Sequence, residues 1–169
     1  NEGKYVCNAS HNYVTYAHQK GIEVWAVIDN FNMECDLYEV LKNTAQRDKL
    51  IANLVADCKK YGIDGINVDY IRYPHGNLNL YSSNGYTDYA MNEFKLLNNL
   101  TGDVKELVKD KEILAKWTKY RCDKITLLMQ ETRKLVNKVK PSCFLSTAVC
   151  SELDYAINNK MQNWKVWAR

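Results

Sequence analysis

The sequence predicts an α/β fold, and three observations carry that reading. Glu23–Ile28, Gly65–Ile71 and Phe144–Val149 are short, mostly apolar runs, the way strands of a parallel sheet read. Segments with helical periodicity separate them. The first two runs and the helix between them fit within about 45 residues, the span of a right-handed βαβ unit with parallel strands.

A first helix is expected over Asn12–Lys20, ended by Gly21. The strand Glu23–Ile28 follows, and Asp29, Asn30 and Asn32 come directly after it. Leu50, Ile51, Leu54, Val55, Cys58 and Tyr61 then mark one helix face, with Thr44 and Gly62 as caps. After the strand at Gly65 comes a polar, turn-rich stretch from Arg72 to Tyr86. Helices are expected over Asp88–Leu100 and Ile113–Lys140, the second stopped by Pro141. The strand Phe144–Val149 and a helical segment over Leu153–Trp167 complete the chain. The first run, nearly continuous in apolar residues, predicts a strand buried on both faces. Three strands are too few for a closed eight-stranded barrel of about 250 residues. The pattern fits a small open sheet or a piece of a larger barrel.

The chain has 169 residues, 46% hydrophobic and 25% charged, enough to bury a core. A net charge of +3, with both signs spread along the helices, argues against a nucleic-acid or membrane-surface patch. No apolar run reaches the ~20 residues of a membrane span. The chain opens on Asn1 with no signal peptide, as a mature or excised segment would. Cysteines at 7, 35, 58, 122, 143 and 150 form no CxxC or Cys/His ligand pair. No metal or cofactor is expected, and buried free thiols are the favoured reading of the cysteines.

Ligands of parallel α/β folds bind at the carboxyl ends of the strands. That rule selects Asp29, Asn30 and Asn32 after the first strand, and Asp69, Tyr70, Arg72, Tyr73 and His75 after the second. After the third it selects Ser151 and Glu152, with Ser146 and Thr147 inside the strand. Carboxylates and amides bond sugar hydroxyls, and aromatic faces cover a pyranose ring. Asp69 is the sharpest candidate, because a carboxylate beside a buried strand must be paired or hydrogen-bonded. Arg72 is an available partner, so a structural salt bridge is the bland alternative. Asp29 and Asn30 also suit a plain turn. Glu152 also suits the first turn of a helix. Asp64, at the opposite strand end, reads as a turn residue, and His18 as a surface or capping group. Trp117, Trp164 and Trp167 read as packing residues. For Trp25, packing competes with sugar stacking.

The segment Tyr61-Gly-Ile-Asp-Gly-Ile-Asn-Val-Asp69-Tyr-Ile-Arg72-Tyr-Pro74 resembles the signature of glycoside-hydrolase-like family 10, a TIM-barrel group. Ala17–Val24, Asn84-Gly85-Tyr86, Phe94 through Gly102, Trp117 with Tyr120-Arg121, Lys140-Pro141, Leu145–Val149 and Gln162-x-Trp164 resemble further family pieces in the same order. The first half is also similar to family 18 hydrolases of the spore-cortex type, at Val24–Phe31 and Asp64–Asp69. The family 18 proton donor would stand two residues after Asp69, where this chain has Ile71. The resemblance implies about half of a TIM-type barrel, a single partial catalytic domain over 1–169. It implies a bacterial, extracytoplasmic glycoside hydrolase acting on glycan strands such as peptidoglycan, or a carbohydrate-binding barrel without catalysis. Asp69 is the expected catalytic carboxylate, with Glu152, or a residue on a strand this chain lacks, as the second member of the pair. Asp29, Asn30, Asn32, Tyr70, Arg72, Tyr73 and His75 are the expected sugar contacts.

Overall fold

The computed structural model describes residues 11–28, 52, 56, 59–69, 71–73 and 85–167. Its centre is a parallel three-stranded sheet in the order β1-β2-β3, formed by Trp25–Ile28, Gly65–Val68 and Phe144–Thr147. Around it run α1 (His11–Gln19), α2 (Asp88–Asn98), α3 (Val104–Leu107), α4 (Lys111–Val139), α5 (Leu153–Lys160) and a 3-10 turn at Trp164–Val166. The α/β class and the parallel pairing follow the sequence. Barrel closure is not part of the described sheet.

Element ends follow local chemistry. Gly21 and Gly62 adopt positive φ, which a glycine enters without a Cβ penalty, and so end the helical turns before them. Residues 52, 56 and 59–61 are helical, while the expected cap Thr44 lies outside the described residues. Thr87, Asp103 and Asp110 each cap a helix by accepting a backbone N–H. Asn99, in the left-handed region, closes α2 just before the expected Leu100. The short helix α3 has no forerunner in the sequence reading. The last helical segment is not continuous: Met161 turns left-handed at φ 56°, and the chain restarts as a single 3-10 turn.

Register decides which face is core. Ala26, Ile66 and Leu145 stand in line across the sheet. They pack against Cys122, Ile125, Leu128, Met129 and Val136 of α4, with Ile63, Val68, Ile71, Cys143 and Met161 completing the cluster. The opposite face carries Trp25, Gly65 and Phe144 in one row and Val27, Asn67 and Ser146 in the next. This corrects the expectation of a first strand buried on both faces: Val27 is 64% exposed, and Phe144 on the same face of β3 is 55% exposed. The reason is layering, since the sheet's described helical packing, from α4, lies on the Ile66 face. A continuous apolar run therefore overstated the burial of β1.

Trp25 takes part in packing on this face while remaining 38% exposed. Its ring stacks on Phe144 at 5.9 Å and lies over Gly65. A Cβ on Gly65 would stand 2.5 Å from the indole, so only glycine fits beneath it. The indole N–H donates to Glu23 at 3.0 Å.

A second cluster sits on the upper part of α4. Trp117 is fully buried and meets Phe94 edge-on, Tyr120 in a stack and Tyr86 at a tilt. Glu93 of α2 fastens this cluster: it accepts from the Tyr120 hydroxyl at 2.5 Å and pairs with Lys124 at 2.6 Å. Burial pushes the Glu93 carboxyl up, but the bonds from Lys124 and Tyr120 outweigh it and hold it below the usual carboxylate value. Cys122 and Cys143 are buried thiols and Cys150 is half-buried, all three reduced. Burial pushes the Cys122 thiol up to about 11, which leaves it unreactive at neutral pH. Cys7, Cys35 and Cys58 lie outside the described residues.

Candidate functional site

The two ends of the sheet differ in chemistry. At the amino end, the Asp64 carboxylate accepts from the Val24 backbone N–H at 2.8 Å and bonds the His18 ring at 2.7 Å. Burial acts to raise the Asp64 carboxyl, but Val24, His18 and the Lys140 charge together hold it low. Lys140 also donates to the Ile63 carbonyl. Asp64 is thus more than a turn residue, and His18, a surface group as expected, also ties α1 to the residue before β2. Every contact here joins structural elements, as the stability end of a parallel sheet requires.

At the carboxyl end, β2 delivers Asp69 directly after Val68. Just before it, Asn67 donates to the Ser146 hydroxyl at 2.8 Å, a polar pair spanning β2 and β3 on the sheet's open face. Asp69 and Arg72 are both half-buried, so neither is sealed from solvent. Ile71, between them, is fully buried in the core. That anchor fixes where the strand exits. Tyr73 is also buried, at 5% exposure, so its ring packs inward instead of lining open surface.

Gln162 holds this end together, although in the sequence it stands out only as part of the Gln162-x-Trp164 motif. Fully buried, it donates to the carbonyls of Ile71 at 3.1 Å and Ala148 at 3.4 Å. Its carbonyl oxygen accepts from the Cys150 N–H at 3.2 Å. One amide therefore clamps the exits of β2 and β3, two residues from Asp69 on one side and two from Glu152 on the other. Glu152 occupies the N-cap position of α5 with its side chain exposed and making no capping bond. Asp69 and Glu152 thus emerge at the same end of neighbouring strands. Thr147 donates to the Val68 carbonyl at 2.8 Å, so its hydroxyl is used within the sheet.

Cations gather beside these exits. Lys160, at the end of α5, is 3% exposed, and its carbonyl accepts from the Tyr73 N–H. Burial, reinforced by the neighbouring Arg72 charge, lowers its ammonium below the usual value. Arg121 of α4 lies against the rings of Tyr73, Tyr86 and Trp117. Burial lowers the guanidinium from its ordinary value while Tyr86 and Tyr73 oppose the shift, and it stays charged at neutral pH. The sequence did hold a signal for Arg121: it interrupts an otherwise apolar helix face. Asp29, Asn30, Asn32, Tyr70 and His75 lie outside the described residues.

Among the described residues no cluster of three or more His, Cys, Asp or Glu could hold a metal ion. Among the same residues no helix is long and apolar enough to cross a membrane. Neither a curated protein nor a solved structure matches the chain. A family described as Glycosyl hydrolase-like 10 does match, over residues 6–169, which takes in β1, β2, β3 and every residue discussed at the carboxyl end. A parallel sheet with its polar residues gathered at the strand exits, matched over nearly its full length, places this chain in the Glycosyl hydrolase-like 10 family.

Proposed function

We propose that this chain is part of a glycoside hydrolase that cleaves bacterial glycan, with peptidoglycan strands as the substrate, at the carboxyl ends of its parallel strands. The observation that carries the reading is Asp69: a half-buried carboxylate at the exit of the central strand, beside a buried anchor at Ile71 and a clamp at Gln162. Glycoside hydrolysis takes two carboxyl groups flanking the scissile bond. One protonates the leaving oxygen; the other acts as base or nucleophile. Asp69 is one member of the pair.

Glu152 is the candidate for the other, since the Gln162 clamp sets its strand exit beside that of Asp69. Its exposed side chain makes no hydrogen bond among the described residues, so substrate would have to order it. Asp29, Asn30, Asn32, Tyr70, Arg72 and His75 are the proposed sugar contacts around Asp69. The three strands are read as part of a (β/α) barrel, and the extracytoplasmic side as the place where such a glycan is met.

A non-catalytic glycan-binding barrel is the second reading. Ile71 favours it, because that core residue stands where the family 18 proton donor would be. Incubating the full-length protein with glycan strands and chromatographing the products separates the two. Released fragments support the hydrolase; retention of intact strands without fragments supports binding alone.

A further inference from the structure

Helix α4 carries an arginine where its apolar face should continue. Trp117, Arg121, Ile125 and Leu128 recur at spacings of four and three, which is one side of a helix. Trp117, Ile125 and Leu128 are buried core, and Arg121 is only 7% exposed. A guanidinium at such depth normally brings a carboxylate, because an uncompensated buried charge is strongly destabilising. Among the described residues Arg121 makes no hydrogen bond and no ion pair. Three rings face it instead: Trp117 at 5.4 Å, and Tyr73 and Tyr86 each at 5.8 Å. Its Nε is buried with no partner, and so is Nε1 of Trp117 one turn earlier. Gly85, at φ 89°, lets the chain lie close: a Cβ there would come within 2.7 Å of Tyr73 and 3.3 Å of Arg121.

The position of this group matters. Helix α4 leads by a short turn into β3, so its last turn lies at the amino end of the sheet, where Lys140 reaches Ile63. Its Trp117–Arg121 part therefore lies toward the carboxyl end. Contact with Tyr73, four residues beyond Asp69, agrees with that placement.

We infer that Arg121, walled by Trp117, Tyr73 and Tyr86, is an anion-recognition subsite for the carboxylate of an acidic sugar in the glycan. The inference rests on the glycan reading above for the ligand being a sugar. The unpaired Nε, with the adjacent Nη, forms the planar side-on fork that matches two carboxylate oxygens. Aromatic walls exclude water and strengthen that pairing. A sulfate ester offers comparable oxygens in a tetrahedral array, so the test includes both.

The full-length protein, with its arginine side chains labelled with nitrogen-15, is titrated with D-glucuronate, D-glucose and glucose 6-sulfate. The Arg121 Nε–H resonance is identified by its loss in Arg121→Lys. It is expected to move saturably with glucuronate and not with glucose, and Arg121→Met should bind glucuronate about tenfold more weakly or worse. Silence toward glucuronate, movement with the sulfate alone, or equal glucuronate affinity in Arg121→Met overturns the assignment. The two readings fail separately. A glucuronate response in a protein that cleaves no glycan leaves the subsite standing and removes the hydrolase. Cleavage with a silent Arg121 does the reverse.

Discussion

The lower and upper parts of α4 solve the same packing problem differently. From Ile125 to Val136 the helix presents aliphatic and sulfur side chains to Ile66 and Val68, and among the described residues the Thr132 hydroxyl is a buried group left unpaired there. From Trp117 to Arg121 it presents aromatics and a cation, with two unpaired N–H donors. The lower part reads as a core built for stability. The upper part keeps polar groups whose burial costs stability, on the side of the sheet where ligands of this architecture bind. Such a departure from local consistency is where function is to be sought.

The contrast can be broken by mutation. The largest effect is expected from Trp117→Ala, which removes the centre of the upper cluster. A loss of about 3–5 kcal/mol in denaturant unfolding is predicted. A loss below about 1 kcal/mol would show that the upper cluster is not a packed core. Gln162→Leu should cost about 2–3 kcal/mol, because it strips partners from the Cys150 N–H and the Ile71 carbonyl. It should also lower glycan turnover by loosening both strand exits, whereas a change confined to the lower part of α4 should lower stability alone.

The smallest effect belongs to Glu93→Gln, about 1 kcal/mol at neutral pH. Because the folded carboxyl is held below its ordinary value of 4.5, its contribution is present above that value. It is lost as pH falls through the lower folded value. Unfolding curves of Glu93→Gln and the parent chain should therefore converge in acid and separate as pH rises. Curves that stay equally spaced at all pH values would remove the ion pair from the account.

Much of the fold could be read from local chemistry. α1 and α4 fall within one or two residues of expectation because periodicity, Gly21 and Pro141 all act within a few residues of the helix ends. The parallel order of β1, β2 and β3 follows from helices separating apolar runs. What escaped depended on distant partners. The exposure of Val27 and Phe144 is set by which face α4 covers, and periodicity in a four-residue strand does not encode that. The break at Met161 exists because Gln162 is drawn inward to backbone groups on two other segments. Asp69 could be singled out because a lone carboxylate among apolar neighbours is a local anomaly. Arg121 is the same kind of anomaly on a helix, and it needed the rings of Tyr73 and Tyr86 to show that among the described residues aromatic faces, not a carboxylate, surround it.

The central claim is that the carboxylate at the exit of β2 does chemistry. The most direct measurement is glycan turnover by the full-length protein with Asp69→Asn, alongside its thermal unfolding. Turnover is expected to fall by at least about a hundredfold, the scale of a positioned acid–base group, with the unfolding midpoint little changed. Full turnover by Asp69→Asn would contradict it.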